Sequence, residues 1–300
     1  FPRTARGGLP AFADLCRGIA AAYRDRRDDL EEQAAEVARR ISVAAERPPS
    51  EQPLEARVLE DAVVGLARVF DPVEGGFGGA PKFPPSLSLE FLLCRLRRRP
   101  DDHHAREMVE RTLGRMAAGG IHDQVGGGFH RYAVDGRWLV PHFEKMLYDN
   151  ALLARDYAIA HRVTGNADHA RVAQDTLDYL VREMRVPGGG LAAAQDADSP
   201  GGEGAFFVWT PDEIAALLPE DQARAVTLRY GVSAEGNFEG RSILHVAASL
   251  DEVARRIGAD PRPLLAAARE TMYAARSARP APARDDKVVA SWNGLAIAAF

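Results

Sequence analysis

Apolar residues recur at steps of three and four along most of the chain, which is the spacing of amphipathic helices. From Phe12 to Ile41 the pattern predicts one long helix, which the prolines of AERPPSEQP interrupt. Further helices are predicted at about 54–70, 86–98, 103–118, 142–164, 167–184, 211–218, 249–257 and 260–278, and one more opens near Trp292. Strand-like segments are short, in GFHRYAVD, AFFVW and SILHV, so the pattern predicts an all-α protein with hairpins in its loops.

Glycine-rich loops separate several of these helices. Four of them combine glycine pairs with aromatic residues and with Asp, Glu or His: DPVEGGFGGAPKFPP, GGIHDQVGGGFHRYAVDGRWLVP, PGGGLAAAQDADSPGGEGAFFVWTP and YGVSAEGNFEGRSIL. The connection VTGNAD (163–168) is short by comparison. Long ordered loops in a compact domain are usually functional. Short and long connections together predict helical hairpins stacked into a ring, with the long loops lining a central cleft.

Composition excludes few classes of protein. The 300 residues are 46% hydrophobic and 27% charged, as in ordinary globular domains, and suffice for one large domain or two smaller ones. A net charge of -5 gives no electrostatic reason to expect binding to nucleic acid or to an anionic membrane surface. No apolar run reaches membrane-spanning length. Cys16 and Cys94 form no CxxC pair. We therefore expect a cytoplasmic protein without nucleic-acid or membrane partners, and both chain ends look cut from a longer protein.

Five segments, in order, resemble the successive signatures of one family: GGFGGAPKFP, GGIHDQVGGGFHRYAVDGRWLVPHFEKMLYDNALL, AQDADSPGGEGAFFVW, YGVSAEGNFEGRSIL and DDKVVASWNGLAIA. It is the thioredoxin-domain-containing, spermatogenesis-associated protein 20-like family. The resemblance implies an (α/α)6 toroid of helical hairpins at 51–300, incomplete at the C-terminus and similar to N-acylglucosamine 2-epimerase. It implies that 1–50 are the C-terminal helix of a thioredoxin-like domain plus a linker, so that an upstream thioredoxin-like domain is the expected partner.

The stretch WLVPHFEKMLYDNALL carries the first candidate chemistry. If a helix begins near Pro141, His142, Lys145 and Asp149 share one face, whose polar end would meet the cleft. His142 and Asp149 are then catalytic candidates and Lys145 a substrate-binding one. Glu144 would point away and supply favourable charge at the helix N-terminus. The alternative is a capping or core histidine beside an ion pair of Lys145 with Asp149 on a solvated face.

AQDADSPGGEG carries the second group of candidates. Asp196 and Asp198 could act as acid and base on a sugar, with Glu203 binding its hydroxyls. A pair of aspartates could also hold a cation, but the spacing does not match an EF-hand loop, so we expect no metal. The alternative is a turn shaped by Asp side chains that accept backbone hydrogen bonds.

His122 and His130 flank three glycines and form the third group. A hairpin here could bring both imidazoles together for proton transfer, with Arg131 beside them as a substrate-binding residue. Zinc would need further close ligands, and cysteines are absent nearby. Histidines that pack within the loop and bond to backbone are equally compatible with the pattern.

Aromatic and polar residues of the loops complete the predicted substrate-binding set. Sugar rings stack on aromatic faces, whereas the alternative is an aromatic plug that closes the centre of the ring. The remaining candidates are Lys82, Tyr132, Trp138, Trp209, Trp292 and Asn293.

Three hypotheses of function follow. The first is a carbohydrate-active enzyme, most plausibly a sugar epimerase or isomerase, with a sugar-like small-molecule ligand and no cofactor. The second is a glycoside hydrolase on the same toroid, which needs two opposed carboxyl groups. The third is a non-catalytic, redox-linked binding or scaffold protein. Both enzyme hypotheses require His122, His142 and the Asp196–Asp198 pair to converge on one pocket.

Overall fold

The structure is a computed structural model that describes residues 1–5, 8–46, 53 and 55–300. It divides into two compact units, Phe1–Ala56 and Arg57–Phe300. The domain boundary predicted at residues 50–51 lies outside the described residues. The assignment of the first unit to a thioredoxin-like domain stays a prediction.

The first unit contains two helices where the apolar pattern predicts one. Helices α1 (Phe12–Asp25) and α2 (Arg27–Ala45) are separated at Arg26, whose φ of −141° and ψ of 46° are not helical. Ala11 is the single buried residue among those described in this unit. Large apolar side chains such as Ile19 are exposed.

The second unit is built from helices joined by long loops. Its helices are α3 (Arg57–Val69), α4 (Ser86–Arg98), α5 (His103–Ala118), α6 (Leu147–Thr164), α7 (Ala167–Glu183), α8 (Pro211–Leu217), α9 (Glu220–Tyr230), α10 (Leu250–Ile257), α11 (Pro261–Ser277) and α12 (Ala290–Ala299). The eight helices predicted by range in this unit are confirmed, although α6 begins five residues late. Helix α9 falls outside every predicted range.

Local signals explain several helix ends. Thr210 caps α8 through a reciprocal capping box with Glu213, and Asn166 caps α7 through the N–H of Asp168. Gly165 ends α6 with a φ of 74°, a conformation that favours glycine. The short connection VTGNAD therefore joins α6 and α7 into a helical hairpin, as the loop lengths predict.

Strands in the described part of the chain are only two residues long. They are β1 (Tyr132–Ala133), β2 (Pro141–His142), β3 (Lys145–Met146), β4 (Ala194–Gln195), β5 (Asp198–Ser199), β6 (Gly202–Glu203) and β7 (Arg284–Asp285). All pairings are antiparallel, in sheets β1-β2, β3-β4-β7 and β5-β6. The start of the helix predicted at 142–164 is wrong, because β2 (Pro141–His142) and β3 (Lys145–Met146) precede α6, which begins at Leu147.

The buried side chains position the loops. One cluster packs α3, α4, α5, α6 and α7 together, and a second packs α8, α9, α10 and α11. A smaller cluster lies within the loops and is made of Phe143, Ala197, Phe207, Val208 and Ile243. The second unit is thus mostly helical with a packed loop layer; closure of a hairpin ring stays a prediction. No helix in the described ranges is long and apolar enough to cross a membrane.

Candidate functional site

His142 lies between two carboxylates. Its position in β2 places it opposite Tyr132 of β1, and its Nδ1 is 2.7 Å from Oε1 of Glu203 in β6. A neutral imidazole bonded in this way donates from Nδ1 and keeps the lone pair on Nε2. That Nε2 is 3.7 Å from Oε2 of Glu144, too far for a hydrogen bond.

Glu144 belongs to the same polar group. Its Oε2 accepts a hydrogen bond of 2.7 Å from Nη1 of Arg131, and the backbone N–H of Arg131 donates to its carbonyl. The expectation that Glu144 points away from His142 is therefore wrong. Residues 141–142 and 145–146 are strands and 143–144 are not helical, and His142 and Glu144, two positions apart, lie on the same side of the segment.

Asp149 completes this group from the first turn of α6. Burial raises its pKa to about 7; Arg131 opposes the shift and Glu144 adds to it. Its Oδ2 is buried without a hydrogen-bond partner within the described ranges, as is Nε of Arg131. Buried polar atoms without partners are uncommon in folded proteins, so this group is a candidate functional site.

Aromatic rings border the group. Tyr132 stacks on the His142 ring with centroids 5.0 Å apart, and Phe83 stacks on Tyr132 at 4.7 Å. Tyr148 meets Trp292 edge-on at 4.9 Å. We call the polar set the His142 cluster: Arg131, Tyr132, His142, Glu144, Asp149 and Glu203.

Asp198 lies at the edge of this cluster, and Asp196 lies beside it in the loop. Asp198 is directly opposite Glu203 in the β5–β6 pair, so both side chains project from the same face. Asp196 is exposed, and its Oδ1 accepts a hydrogen bond from the backbone N–H of Asp198. This hydrogen bond is the one expected if the aspartates shape a turn. The two aspartates do not oppose each other across a cleft.

His122 and His130 are both buried, each 2% exposed. Both line a small internal cavity of about 20 Å³, room for about one water molecule. Burial lowers the pKa of His122 to about 4 and that of His130 to about 3, so both are neutral near pH 7. Nδ1 of His130 bonds to the carbonyl of Phe143. The lining of this cavity does not include His142, Asp196 or Asp198, so the convergence that both enzyme hypotheses require is not observed for His122. The enzyme hypotheses fail in that form, and an acid/base site can be built only from the smaller group around His142.

Lys145 is buried in a charged triad rather than placed beside His142. Its Nζ lies 2.8 Å from Oδ2 of Asp123, whose Oδ1 accepts from Arg276 at 2.7 Å. Burial opposes ionisation of Asp123, but Arg276 and Lys145 hold its pKa well below the ordinary value. The Lys145 side chain is 1% exposed, so the prediction that it shares a face with His142 and Asp149 is wrong. The triad ties the loop after α5 to β3 and α11.

Several predicted substrate-binding residues are also packed inside. Nζ of Lys82 bonds Asp71 at 2.6 Å and the Gly75 carbonyl at 2.8 Å. Trp138 is fully buried and Trp209 nearly so, as the aromatic-plug alternative expects. These side chains stabilise loops and do not reach the His142 cluster's surface.

Asn293 and Trp292 lie on α12 and differ in their contacts. The Asn293 amide bonds both the N–H and the carbonyl of Leu191, which fastens α12 to the loop after α7. Trp292 is half-buried against Tyr148, next to Asp149. Of the two, only Trp292 lies near the cluster.

Comparison with known proteins identifies relatives. No family model matches the chain. Human spermatogenesis-associated protein 20 is 38% identical over 284 residues, covering 84% of this chain and 36% of that protein. The mouse protein of the same name is 39% identical over 262 residues, covering 77% of this chain and 33% of that protein.

This chain is a homologue of part of spermatogenesis-associated protein 20. It spans about a third of the length of these curated relatives. An uncharacterized protein of Caenorhabditis elegans is 31% identical over 330 residues, covering 99% of this chain and 45% of that protein. The resemblance drawn from the five segments is confirmed.

Two solved structures show a weaker likeness. Cellobiose 2-epimerase from Spirochaeta thermophila DSM 6192 aligns with a TM-score of 0.41 at 21% identity, over 50% of this chain and 42% of that one. A sugar epimerase from a ruminal bacterium aligns with a TM-score of 0.41 at 15% identity, over 67% and 53%. Scores of this size establish neither a shared fold nor a shared reaction.

Two members of the site in this homologue do not follow from the sequence reasoning. The helical pattern assigns Glu144 to a helix terminus, and Phe83 is absent from the predicted substrate-binding set. The polar–apolar alternation of His142, Phe143 and Glu144 is the signal for an extended segment. Among the described residues, no group of three or more His, Cys, Asp or Glu side chains is placed to hold a metal ion.

Proposed function

We propose that the His142 cluster is an acid/base site that interconverts epimers or isomers of a sugar-like substrate. The observation that carries the proposal is the half-buried imidazole between Glu203 and Glu144, with the Asp149 carboxyl near Glu144 and Arg131. General acid/base catalysis needs an oriented base and an acid that is protonated at working pH. Both requirements have a candidate in this cluster.

His142 is the proposed base. Oε1 of Glu203 accepts a hydrogen bond from Nδ1–H of His142 and fixes the ring, in the way that a carboxylate orients a catalytic histidine. Nε2 is then available to take a proton from the substrate carbon next to a carbonyl group. The electron pair moves to the carbonyl oxygen, whose negative charge the Arg131 guanidinium would stabilise.

Asp149 is the proposed acid. With a pKa raised to about 7, it is present in both protonation states near neutral pH. It would return a proton to the opposite face of the same carbon, while His142 releases its proton to solvent and Asp149 regains one. Substrate and product then differ only in configuration.

Exposed aromatic surface supports a ring-shaped ligand. Phe83 is 55% exposed and continues the stack formed by Tyr132 and His142. Aromatic faces bury the apolar C–H side of a sugar ring, while nearby carboxylates accept hydrogen bonds from its hydroxyls.

The test is incubation of the protein with neutral reducing sugars in D₂O, followed by NMR. The wild-type protein is expected to exchange the carbon-bound proton next to the carbonyl and to accumulate the epimer. His142→Gln should lower both rates about 10²- to 10⁴-fold, the usual contribution of a general base. Asp149→Asn should still exchange deuterium into the substrate but should form no epimer, because the base His142 remains and the acid is removed.

Asp196→Asn is the matched control, since Asp196 is exposed and lies outside the cluster. It should leave both rates unchanged, and all variants should unfold within a few degrees of the wild type. The wild-type rate of epimer formation should fall above about pH 7, where Asp149 loses its proton. Absence of exchange with every sugar, or release of sugar from glycosides without exchange, contradicts the proposal; the second result supports the hydrolase alternative.

A further inference from the structure

A second cleft, of about 560 Å³, lies between the end of α5, the start of α7, the end of α9 and the loop before α10. Its lining shares no residue with the His142 cluster. Small side chains, including Gly114, Ala117 and Ala247, form part of the lining. The volume falls within the range typical of small-molecule sites.

Arg229 is the distinctive charge in this cleft. It is half-buried, and its Nη1 donates a 2.5 Å hydrogen bond to the Ala248 carbonyl. No carboxylate in the described part of the chain lies within ion-pair distance of its guanidinium. Burial is the main cause that lowers its pKa; Arg171 adds to the shift, whereas Tyr230 and Asp168 oppose it.

Two more arginines line the cleft, and both are ion-paired. Arg171 pairs with Asp168 at 3.5 Å and with Asp175 at 3.3 Å, and Arg262 pairs with Asp260 at 3.3 Å. Their side chains are 55% and 66% exposed, so each can exchange a carboxylate for a more highly charged ligand. The acidic residues of the lining, Asp168 and Asp251, are exposed to solvent. Among the three guanidinium groups of the lining, Arg229 therefore differs in having no ion pair within the described residues, and the first turns of α7 and α10 contribute their positive ends.

We propose that this cleft binds a phosphate monoester of a small molecule, with Arg229 as its principal ligand. A guanidinium can donate to two phosphate oxygens at once. The phosphate dianion would supply the negatively charged partner that Arg229 does not have among the described carboxylates. Arg171 and Arg262 are placed to close on the remaining oxygens. The organic part of the ligand would occupy the remainder of the cleft.

Thermal unfolding and calorimetry of the full chain, with inorganic phosphate and glycerol 3-phosphate as probes, test this site. Both probes should raise Tm in a saturable manner beyond sodium chloride of equal ionic strength. Arg229→Gln should weaken binding about tenfold or more, the usual effect of losing a hydrogen bond to a charged group. Arg262→Gln, at the exposed rim, should weaken binding several-fold without affecting the fold.

Arg224→Gln is the matched control. Arg224 lies on the same helix and also donates to a backbone carbonyl, that of Arg256, but it does not line the cleft. It should bind both probes as the wild type does. The proposal is overturned if neither probe binds, if only inorganic phosphate binds, or if the Arg224 and Arg229 variants lose affinity equally. Retained affinity in the folded Arg262 variant would also overturn it.

Discussion

Asp156 shows at the scale of one residue how burial sets protonation. It lies on α6, is 2% exposed, and has an Oδ2 without a hydrogen-bond partner in the described ranges. Burial raises its pKa to about 8; the nearby Glu90 adds to the shift and Arg155 opposes it. At pH 7 the folded protein therefore holds a proton here that an unfolded chain has released.

This difference predicts a pH-dependent loss of stability. Between about pH 4 and pH 8 the folded state binds more protons at Asp156 than the unfolded state, so the free energy of unfolding falls as pH rises. Asp156→Asn removes this contribution and should raise Tm by roughly 2–4 °C or more at pH 8.5, corresponding to at least about 1 kcal/mol. Near pH 4 the variant and the wild type should unfold at similar temperatures.

Scanning calorimetry at the two pH values measures both quantities. Asp101→Asn, a substitution at an exposed aspartate, should change Tm little at either pH. A gain for Asp156→Asn that is equal at pH 4 and pH 8.5 would show that packing, rather than ionisation, is responsible.

At the scale of the elements, the glycine-rich turn after α5 packs against two helices. Gly128 has a φ of 76°, and a Cβ there would lie 2.5 Å from Cδ1 of Tyr179 and 3.0 Å from Oδ1 of Asn150. Gly165 has a similar φ of 74°, but a Cβ there would meet no atom within 4 Å. The two glycines therefore share the same backbone requirement and differ in the space around them.

Substitution of each glycine by alanine separates these two effects. Gly165→Ala should cost about 1 kcal/mol, the penalty of a left-handed conformation for a residue with a Cβ. Gly128→Ala should cost roughly 1–3 kcal/mol more, because the methyl group displaces the Tyr179 ring or the Asn150 amide. Urea unfolding midpoints give the comparison, and equal losses would contradict the close packing of this turn.

The helices could be predicted from sequence far better than the loops. Periodicity locates α4 and α5 because a helix is a local structure whose spacing repeats every few residues. Residues 141–146 are held instead by pairing with distant segments: His142 bonds Glu203, 61 residues away. A strand of two residues is too short to show a two-residue alternation of polar and apolar positions. The predicted helix therefore begins at residue 142 instead of 147, and the positions of Glu144 and Lys145 are predicted wrongly.

At the scale of the whole molecule, stability is concentrated in one unit. Every cluster of buried apolar side chains draws its described members from Arg57–Phe300. In Phe1–Ala56 only Ala11 is buried among the described residues, so α1 and α2 bury little apolar surface within their own unit. Because burial of apolar surface is the dominant favourable term in folding, the second unit should fold without the first.

A chain that begins at Arg57 tests this directly. It should unfold cooperatively with a Tm within a few degrees of the full chain, while the far-UV helical signal falls by the share of α1 and α2. A chain that begins at Ser86 is the contrasting case. It also lacks α3, whose Val63 packs in the largest cluster, and Glu74, whose carbonyl accepts from the Trp138 indole. That second truncation should lose cooperative unfolding or drop sharply in Tm; if both truncations behave alike, the boundary between the units does not mark the limit of the folding core.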